Sequence, residues 1–263
     1  MKIGFIFVLY KTPQSEIIRL KKEVKSLKLK DYQIYFIDNS ENQQGYAAGV
    51  NAGLKCAIKD GCELFVIGNP DIKLDTLVKL DQLVKYNPFD IFGFAMKQQG
   101  KTYYGGQIDK WRMSGGLVET KPNQRFVPVD FISGSLMFIK KKVIDKIGPP
   151  AGGFDESYFM YYEDVDFCYR AKKAGFKIGI DSKISYVHFE VSQDNPKREF
   201  YLFKNRLKFL MKYGSLKQKV REKCKWRLGQ TTYLILFTPM NISILKFRLS
   251  NIFSYKKHLT RMK

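Results

Sequence analysis

Apolar residues in the first hundred positions follow two alternating rhythms. Ile3-Gly-Phe-Ile-Phe-Val-Leu9 is an unbroken apolar run of strand length, as expected for a strand buried on both faces. After Thr12-Pro13, which can supply a cap and a first-turn proline, Ile17, Leu20, Val24 and Leu27 recur at helical spacing. Tyr32 to Ile37 predicts a second strand, and the small-residue stretch from Gly49 to Ala57 predicts a helix that Gly61 can end. Leu64 to Ile67 reads as a third strand. Asp75 can cap a helix carrying Leu77, Leu80 and Val84, and Asp90 to Ala95 forms a fourth strand. The order β-α-β-α-β-α-β predicts an α/β fold with a doubly wound, mostly parallel sheet.

The rhythm changes after Met96. Gly100, Gly105-Gly106 and Gly115-Gly116 break the chain into short pieces, the pattern of hairpins or a loop. Phe126 to Ile132 and Leu136 to Ile139 predict strands. A loop from Gly148 to Tyr162 leads into a helix starting near Glu163, with Val165, Cys168 and Ala171 on one side and Gly175 as its stop. Two more strands are expected at Lys177–Ile180 and Ile184–Phe189, followed by helix from Arg198 onward.

In open α/β sheets, ligands bind beyond the carboxyl ends of the parallel strands. Three predicted strands end here in Leu9-Tyr10, in Asp38-Asn39-Ser40 and in Gly68-Asn69-Pro70-Asp71. An aspartate after an early strand can accept a hydrogen bond from a pyrimidine base, and one after a later strand can hold a divalent cation against a diphosphate. Each segment can equally be a plain turn. Tyr161-Tyr162-Glu163-Asp164-Val165-Asp166 puts three acids at a helix start, where they can answer the helix dipole or present a general base. His188 ends a predicted strand, and its imidazole can be structural or join a carboxylate around manganese or magnesium.

Composition adds a partner class. The 263 residues are 44% hydrophobic and carry a formal charge of +21, a field that favours nucleic acid, an acidic membrane or a phosphorylated substrate. From Lys204 to Lys263 there are 16 Lys/Arg against one acid, Glu222, interleaved with Phe203, Trp226, Phe237 and Phe253. That mixture predicts amphipathic helices on an anionic leaflet. Tyr233 to Leu245 is too short and too interrupted to predict a spanning helix. Ile3 to Leu9 lacks a following cleavage site, so it predicts a strand and not a signal peptide. Cys56, Cys62, Cys168 and Cys224 show neither zinc nor disulfide spacing.

Taken in order, several segments resemble the family 2 glycosyltransferases of GT-A fold, especially bacterial rhamnosyltransferase-like members. They are VLYKTP (8–13), IDNSEN (37–42), GYAAGVNAGL (45–54), GNPDI (68–72), ISGSLMFIKK (132–141), GGFDESYFMYYEDVDFCYRAKKAG (152–175), VHFEVSQ (187–193) and YLFKNRLKFLMKYG (201–214). The resemblance implies that Leu9, Tyr10 and Asp38 bind the donor nucleoside and that Asn51 lies beside the diphosphate. Asn69-Pro70-Asp71 stands in the place of the family's DxD motif, with Asp71 and His188 as metal ligands. Asp164 is then the catalytic base, Glu163 orients donor or acceptor, and Gly134 lies under the donor sugar. Asn69 replaces the first aspartate of that motif and offers a neutral, weaker ligand.

The resemblance further implies an inverting, manganese- or magnesium-dependent transfer from dTDP-rhamnose or a UDP-hexose to a cell-surface glycan, carried on a polyprenyl diphosphate lipid. It suggests a peripheral enzyme at the inner face of the cell membrane, with no nucleic acid partner. Residues 1–200 are expected to form the catalytic domain, with 1–96 binding the nucleotide sugar and 97–200 the acceptor, and 201–263 a membrane-docking extension. A nucleotidyltransferase and a basic nucleic-acid-binding protein are the competing readings.

Overall fold

The opening apolar run is β1 (Ile3–Leu9), buried at every residue. Its alternate side chains enter two separate cores: Phe5 and Phe7 on one side, Ile6 and Val8 on the other. The computed structural model describes residues 1–41, 44–74, 77, 80–149, 152–189 and 196–225. Around β1 the chain builds α1 (Gln14–Ser26), β2 (Tyr32–Asp38), α2 (Tyr46–Lys59), β3 (Leu64–Gly68), β4 (Ile72–Lys73), α3 (Leu80–Lys85) and β5 (Ile91–Gln98). Then come β6 (Lys101–Tyr103), β7 (Gly106–Asp109), β8 (Ser114–Leu117), β9 (Phe126–Pro128), β10 (Leu136–Lys140), α4 (Lys141–Ile147), α5 (Glu163–Lys173), β11 (Ile178–His188) and α6 (Pro196–Tyr213).

The main sheet runs in the order β2-β1-β3-β10-β5-β11-β4. β2, β1 and β3 pair in parallel, as do β5 and β11. β10 runs antiparallel between β3 and β5, so those two keep a common direction. β4 is antiparallel to β11. Helices cover both faces: Leu20 and Val24 of α1 and Leu80 and Val84 of α3 enter one core, while α2, α4, α5 and α6 contribute to the other. The sheet is thus doubly wound and mostly parallel, as the pattern predicts.

Small residues let α2 lie close on β1. A Cβ on Gly49 would sit 2.6 Å from Val8 Cγ1, and one on Gly53 would overlap Ile6. Several expectations shift in detail. Pro13 occupies the capping position of α1, without a side-chain cap, and Thr12 Oγ1 instead accepts a bond from the Tyr10 N–H at 3.2 Å. The two strands expected near 177–180 and 184–189 are one strand, β11, with a register break between Asp181 and Ser185. Of the run expected to Ile132, only Phe126–Pro128 is strand, because the following residues turn away and Phe131 bridges to Gly106. Asp75 lies outside the described residues.

Residues Met1–Gly214 form one compact unit and Ser215–Lys263 a second. α6 belongs to the first, beyond the boundary expected at 200, because Leu207, Phe209 and Leu210 are buried and its polar side chains grip α5. In the second unit, residues 216–225 are helical, and the amphipathic helices expected after 225 lie outside the described residues. Among the described residues, no helix is long and apolar enough to cross a membrane.

Candidate active site

At the ends of β1 and β2, Leu9 is buried and Tyr10 exposed, and Asn39 N–H donates to Leu9 O at 2.9 Å. Asp38 Oδ1 accepts the Ser40 N–H at 2.9 Å, so the residues do make an Asx turn. Hydrogen bonding to Ser40 holds the exposed Asp38 carboxyl below its usual pKa. Asn39 organises the next loop, donating to Gly45 O at 2.8 Å and accepting from the Gln44 N–H. That loop delivers Tyr46 to the first position of α2, with its N–H on Phe159 O at 2.9 Å.

At the end of β3, Asn69 N–H donates across the sheet to Ser135 O at 2.9 Å. Pairing of β4 with β11 sets Ile72 against His188, and Phe189 N–H donates to Asp71 O at 2.9 Å. Asp71 Oδ1 therefore lies 3.3 Å from His188 Nε2, and the Asn69 amide nitrogen lies 3.4 Å from the same imidazole atom. Turning the amide by half a revolution would offer its oxygen instead. A carboxylate, an imidazole and an amide side by side are an oxygen–nitrogen donor set that suits manganese or magnesium, with a diphosphate supplying further oxygens. His188 is buried, and its Nδ1 has no hydrogen-bond partner among the described residues. Among those residues no three His, Cys, Asp or Glu side chains cluster as a complete metal site.

Asp164 sits in the first turn of α5. Its Oδ2 accepts the Gly134 N–H at 2.9 Å and its Oδ1 the Val165 N–H at 2.8 Å. Burial raises its pKa, and these two bonds partly oppose the rise. Glu163 is buried with Oε2 unpartnered among the described residues, and burial together with the Asp164 charge pushes its pKa well above the ordinary value. Gly134 is the link between elements, since its carbonyl accepts the Tyr46 hydroxyl at 2.7 Å.

Tyr46 and Tyr186 join the two halves. Burial lifts the Tyr46 pKa most, and the charges of Glu163, Asp164 and Asp71 all add to it. Tyr186, whose hydroxyl is 2.7 Å from Ser135 Oγ, is likewise raised by burial and by both Asp164 and Asp71. The strand-end acid and the helix-start acid thus act on the same two phenols. A groove of 450 Å³ opens at His188, lined by the β5–β6 hairpin (residues 97–102) and by Val187, His188 and Phe189.

The loop entering α5 is held under strain. Tyr161 and Tyr162 have φ of 66° and 74°, a left-handed conformation that costs non-glycine residues free energy. Asn205 of α6 restrains them by donating to Met160 O at 2.7 Å and Tyr161 O at 2.9 Å. Asn51 has a similar task. Its amide donates to Phe154 O and Glu156 Oε1 and accepts the Phe154 N–H at 2.8 Å, so both ends are engaged by the 152–156 loop. The sequence reading missed Tyr46, Ser135 and Tyr186; the first starts a helix, and the last looks like any core strand residue.

The fold is that of the GT-A glycosyltransferases. The mannosyltransferase PcManGT from Pyrobaculum calidifontis, solved with GDP-Man and Mn2+, superposes at TM-score 0.54 with 10% identity, over 81% of this chain and 65% of its own. GalNAc-T7, solved with UDP, GalNAc and Mn2+, superposes at TM-score 0.54 with 14% identity, over 80% of this chain and 48% of its own. In sequence, the chain is similar to hexosyl- and rhamnosyltransferases. The low-salt glycan biosynthesis hexosyltransferase of Haloferax volcanii is 28% identical over 165 residues, 59% of this chain and 52% of the relative. The N-acetylglucosaminyl-diphospho-decaprenol L-rhamnosyltransferase of Mycobacterium tuberculosis is 43% identical over 66 residues, 25% of this chain and 20% of the relative. The chain thus spans about half the length of the first of these relatives and a fifth of the second. No family model matches the sequence.

Proposed function

We propose that the protein is an inverting glycosyltransferase that moves a sugar from a nucleotide-sugar donor, dTDP-rhamnose or a UDP-hexose, to a hydroxyl of a growing glycan. The observation that carries this reading is the link through two adjacent residues: Gly134 N–H donates to Asp164, and Ser135 O accepts the N–H of Asn69, which lies beside the Asp71–His188 pair. Asp71 and His188, with Asn69 beside them, would hold a divalent cation. Such an ion neutralises charge on a departing diphosphate. Leu9, Tyr10 and Asp38 are the proposed nucleoside contacts, and Gly134 forms the floor beneath the sugar.

Asp164 accepts the proton of the acceptor hydroxyl as that oxygen bonds to the anomeric carbon. The bond from the same carbon to the diphosphate oxygen breaks, and the nucleoside diphosphate leaves with the bonding electrons. Two backbone N–H groups favour the charged form of Asp164, whereas burial and the Asp164 charge favour the protonated form of Glu163, which orients donor or acceptor. A single displacement inverts the anomeric centre. The test is turnover of dTDP-rhamnose and UDP-hexoses, with the product anomer read by NMR. Release of pyrophosphate in place of a nucleoside diphosphate would instead indicate a nucleotidyltransferase.

Asp71→Ala is expected to weaken nucleoside diphosphate binding about tenfold or more in Mn2+, with little change in EDTA, by calorimetry. Equal losses in both buffers would contradict the cation role. The relatives' names support a lipid-linked acceptor such as a polyprenyl diphosphate glycan, and hence work at the inner face of the cell membrane. The basic segment 204–263 is the proposed contact with anionic lipid. The full chain should co-sediment with phosphatidylglycerol vesicles at low salt, and a chain ending at Gly214 should not. Equal partitioning of both would exclude that role for the tail.

A further inference from the structure

Asp71 lies on a segment whose main chain is gripped from two directions. On one side, β11 pairs with β4, and Phe189 N–H donates to Asp71 O at 2.9 Å. On the other, Arg19 of α1 reaches the residues flanking Asp71. One terminal nitrogen of its guanidinium donates to Pro70 O at 2.8 Å and the other to Ile72 O at 2.9 Å. The remaining N–H groups are also used: Nε lies 2.9 Å from Glu16 Oε2, with a terminal nitrogen 2.8 Å from the same oxygen, and the other terminal nitrogen lies 2.6 Å from Glu23 Oε1. Glu23 completes the grip, since its Oε2 accepts the Leu74 N–H at 2.8 Å. The main chain is thus fixed at 70, 72 and 74, on both sides of the carboxylate that faces His188.

We propose that Arg19 and Glu23 are positioning residues that hold Asp71 at its distance from His188 and thereby set the cation affinity of the site. The proposal rests on reading Asp71 and His188 as cation ligands. Arginine is the residue this task requires. Its planar fork directs two N–H groups at carbonyls on either side of Asp71 while three others are held by carboxylates. A lysine has three donors and no fixed plane, so it cannot hold both carbonyls and both glutamates together. An ordinary helix-surface pair at four-residue spacing contributes only about 0.3–0.5 kcal/mol, and nothing in such a pair requires contact with the backbone around Asp71.

Arg19→Lys and Glu23→Gln separate positioning from mere support of the fold. Each full-length variant is titrated by calorimetry with whichever of UDP, dTDP and GDP binds the unaltered protein most tightly, once in Mn2+ and once in EDTA. Thermal melts of the same samples report folding. Affinity in Mn2+ is expected to fall about 10- to 100-fold for Arg19→Lys, the usual range for groups that orient a metal ligand, and less for Glu23→Gln. Affinity in EDTA should stay at the parent value in both. If both folded variants keep the parent's ratio of affinities in Mn2+ and EDTA, the two residues only tie α1 to the sheet and the proposal fails. Should Arg19→Lys not fold, Glu23→Gln decides alone on the same ratio. An unaltered protein that binds every nucleotide equally in Mn2+ and EDTA would overturn the cation site itself, a different failure from the loss of positioning.

Discussion

Asp164→Asn is expected to cut turnover about 100- to 10,000-fold while nucleotide affinity changes little and the fold persists. The amide keeps the size of the carboxylate and can still accept the Gly134 N–H through its oxygen. It cannot take a proton from an acceptor hydroxyl. Glu163→Gln provides the contrast. Glu163 is 6% exposed with one oxygen unpartnered among the described residues, and both burial and its neighbour's charge raise its pKa well above the ordinary value. Glutamine resembles the protonated acid, so turnover should fall by less than about tenfold. Comparable, severe losses in both variants would mean that the proton-accepting role is misassigned between them.

The same electrostatics sets a pH profile. Burial raises the Asp164 pKa, so its charged form becomes scarce at a higher pH than for an ordinary carboxylate. The proposed base acts in its charged form, so activity is expected above that raised value and should be lost as pH falls through it. The acid limb of kcat/KM should therefore lie above the ordinary aspartate value of 3.8 and vanish with Asp164→Asn.

Much of this arrangement was legible in the chain because polar residues interrupt apolar runs where strands end. Asn69-Pro70-Asp71 and the Glu163–Asp166 cluster are such interruptions, and folding brings Asp71 to 3.3 Å from His188. What pattern could not give was direction and company. An apolar run such as Leu136–Lys140 buries equally well in either orientation, so its antiparallel insertion between β3 and β5 left no trace in composition. Tyr46 and Tyr186 have phenols whose surroundings include both Asp71 and Asp164, which are far apart in sequence. Arg19 and Glu23 match a solvated helix pair by spacing, and only folding brings residues 70–74 against them. Asn51 shows the converse. Its place in a recognisable motif suggested the diphosphate region, while its amide is engaged with the 152–156 loop.

The acid cluster at the start of α5 also divides by function in a way that predicts a large stability effect. Asp166, one turn below the strained tyrosines, is fully buried and gathers three partners: Arg170 Nε, Lys212 Nζ and the Tyr213 hydroxyl, each at 2.8 Å. Arg170 also donates to Gly153 O, and Lys212 to Asp155 Oδ2 at 2.8 Å, so the network ties α5, α6 and the 153–155 loop together. Burial disfavours the Asp155 charge, but bonds from Lys212 and Ser157 outweigh it and bring its pKa down to about 2. That lowered value stabilises the fold above the ordinary 3.8, and the contribution is lost as pH falls from there toward 2. Asp166→Ala leaves two cations and a phenol without their shared acceptor, which should cost about 3–5 kcal/mol. At about 2–4 °C per kcal/mol for a unit of this size, the melting temperature should drop by roughly 6–20 °C. Asp166→Asn, which keeps an oxygen for one or two of the donors, should lose less. A melt of Asp166→Ala within a degree or two of the parent would show that α6 is held by its apolar residues, Leu207, Phe209 and Leu210, without help from the charges.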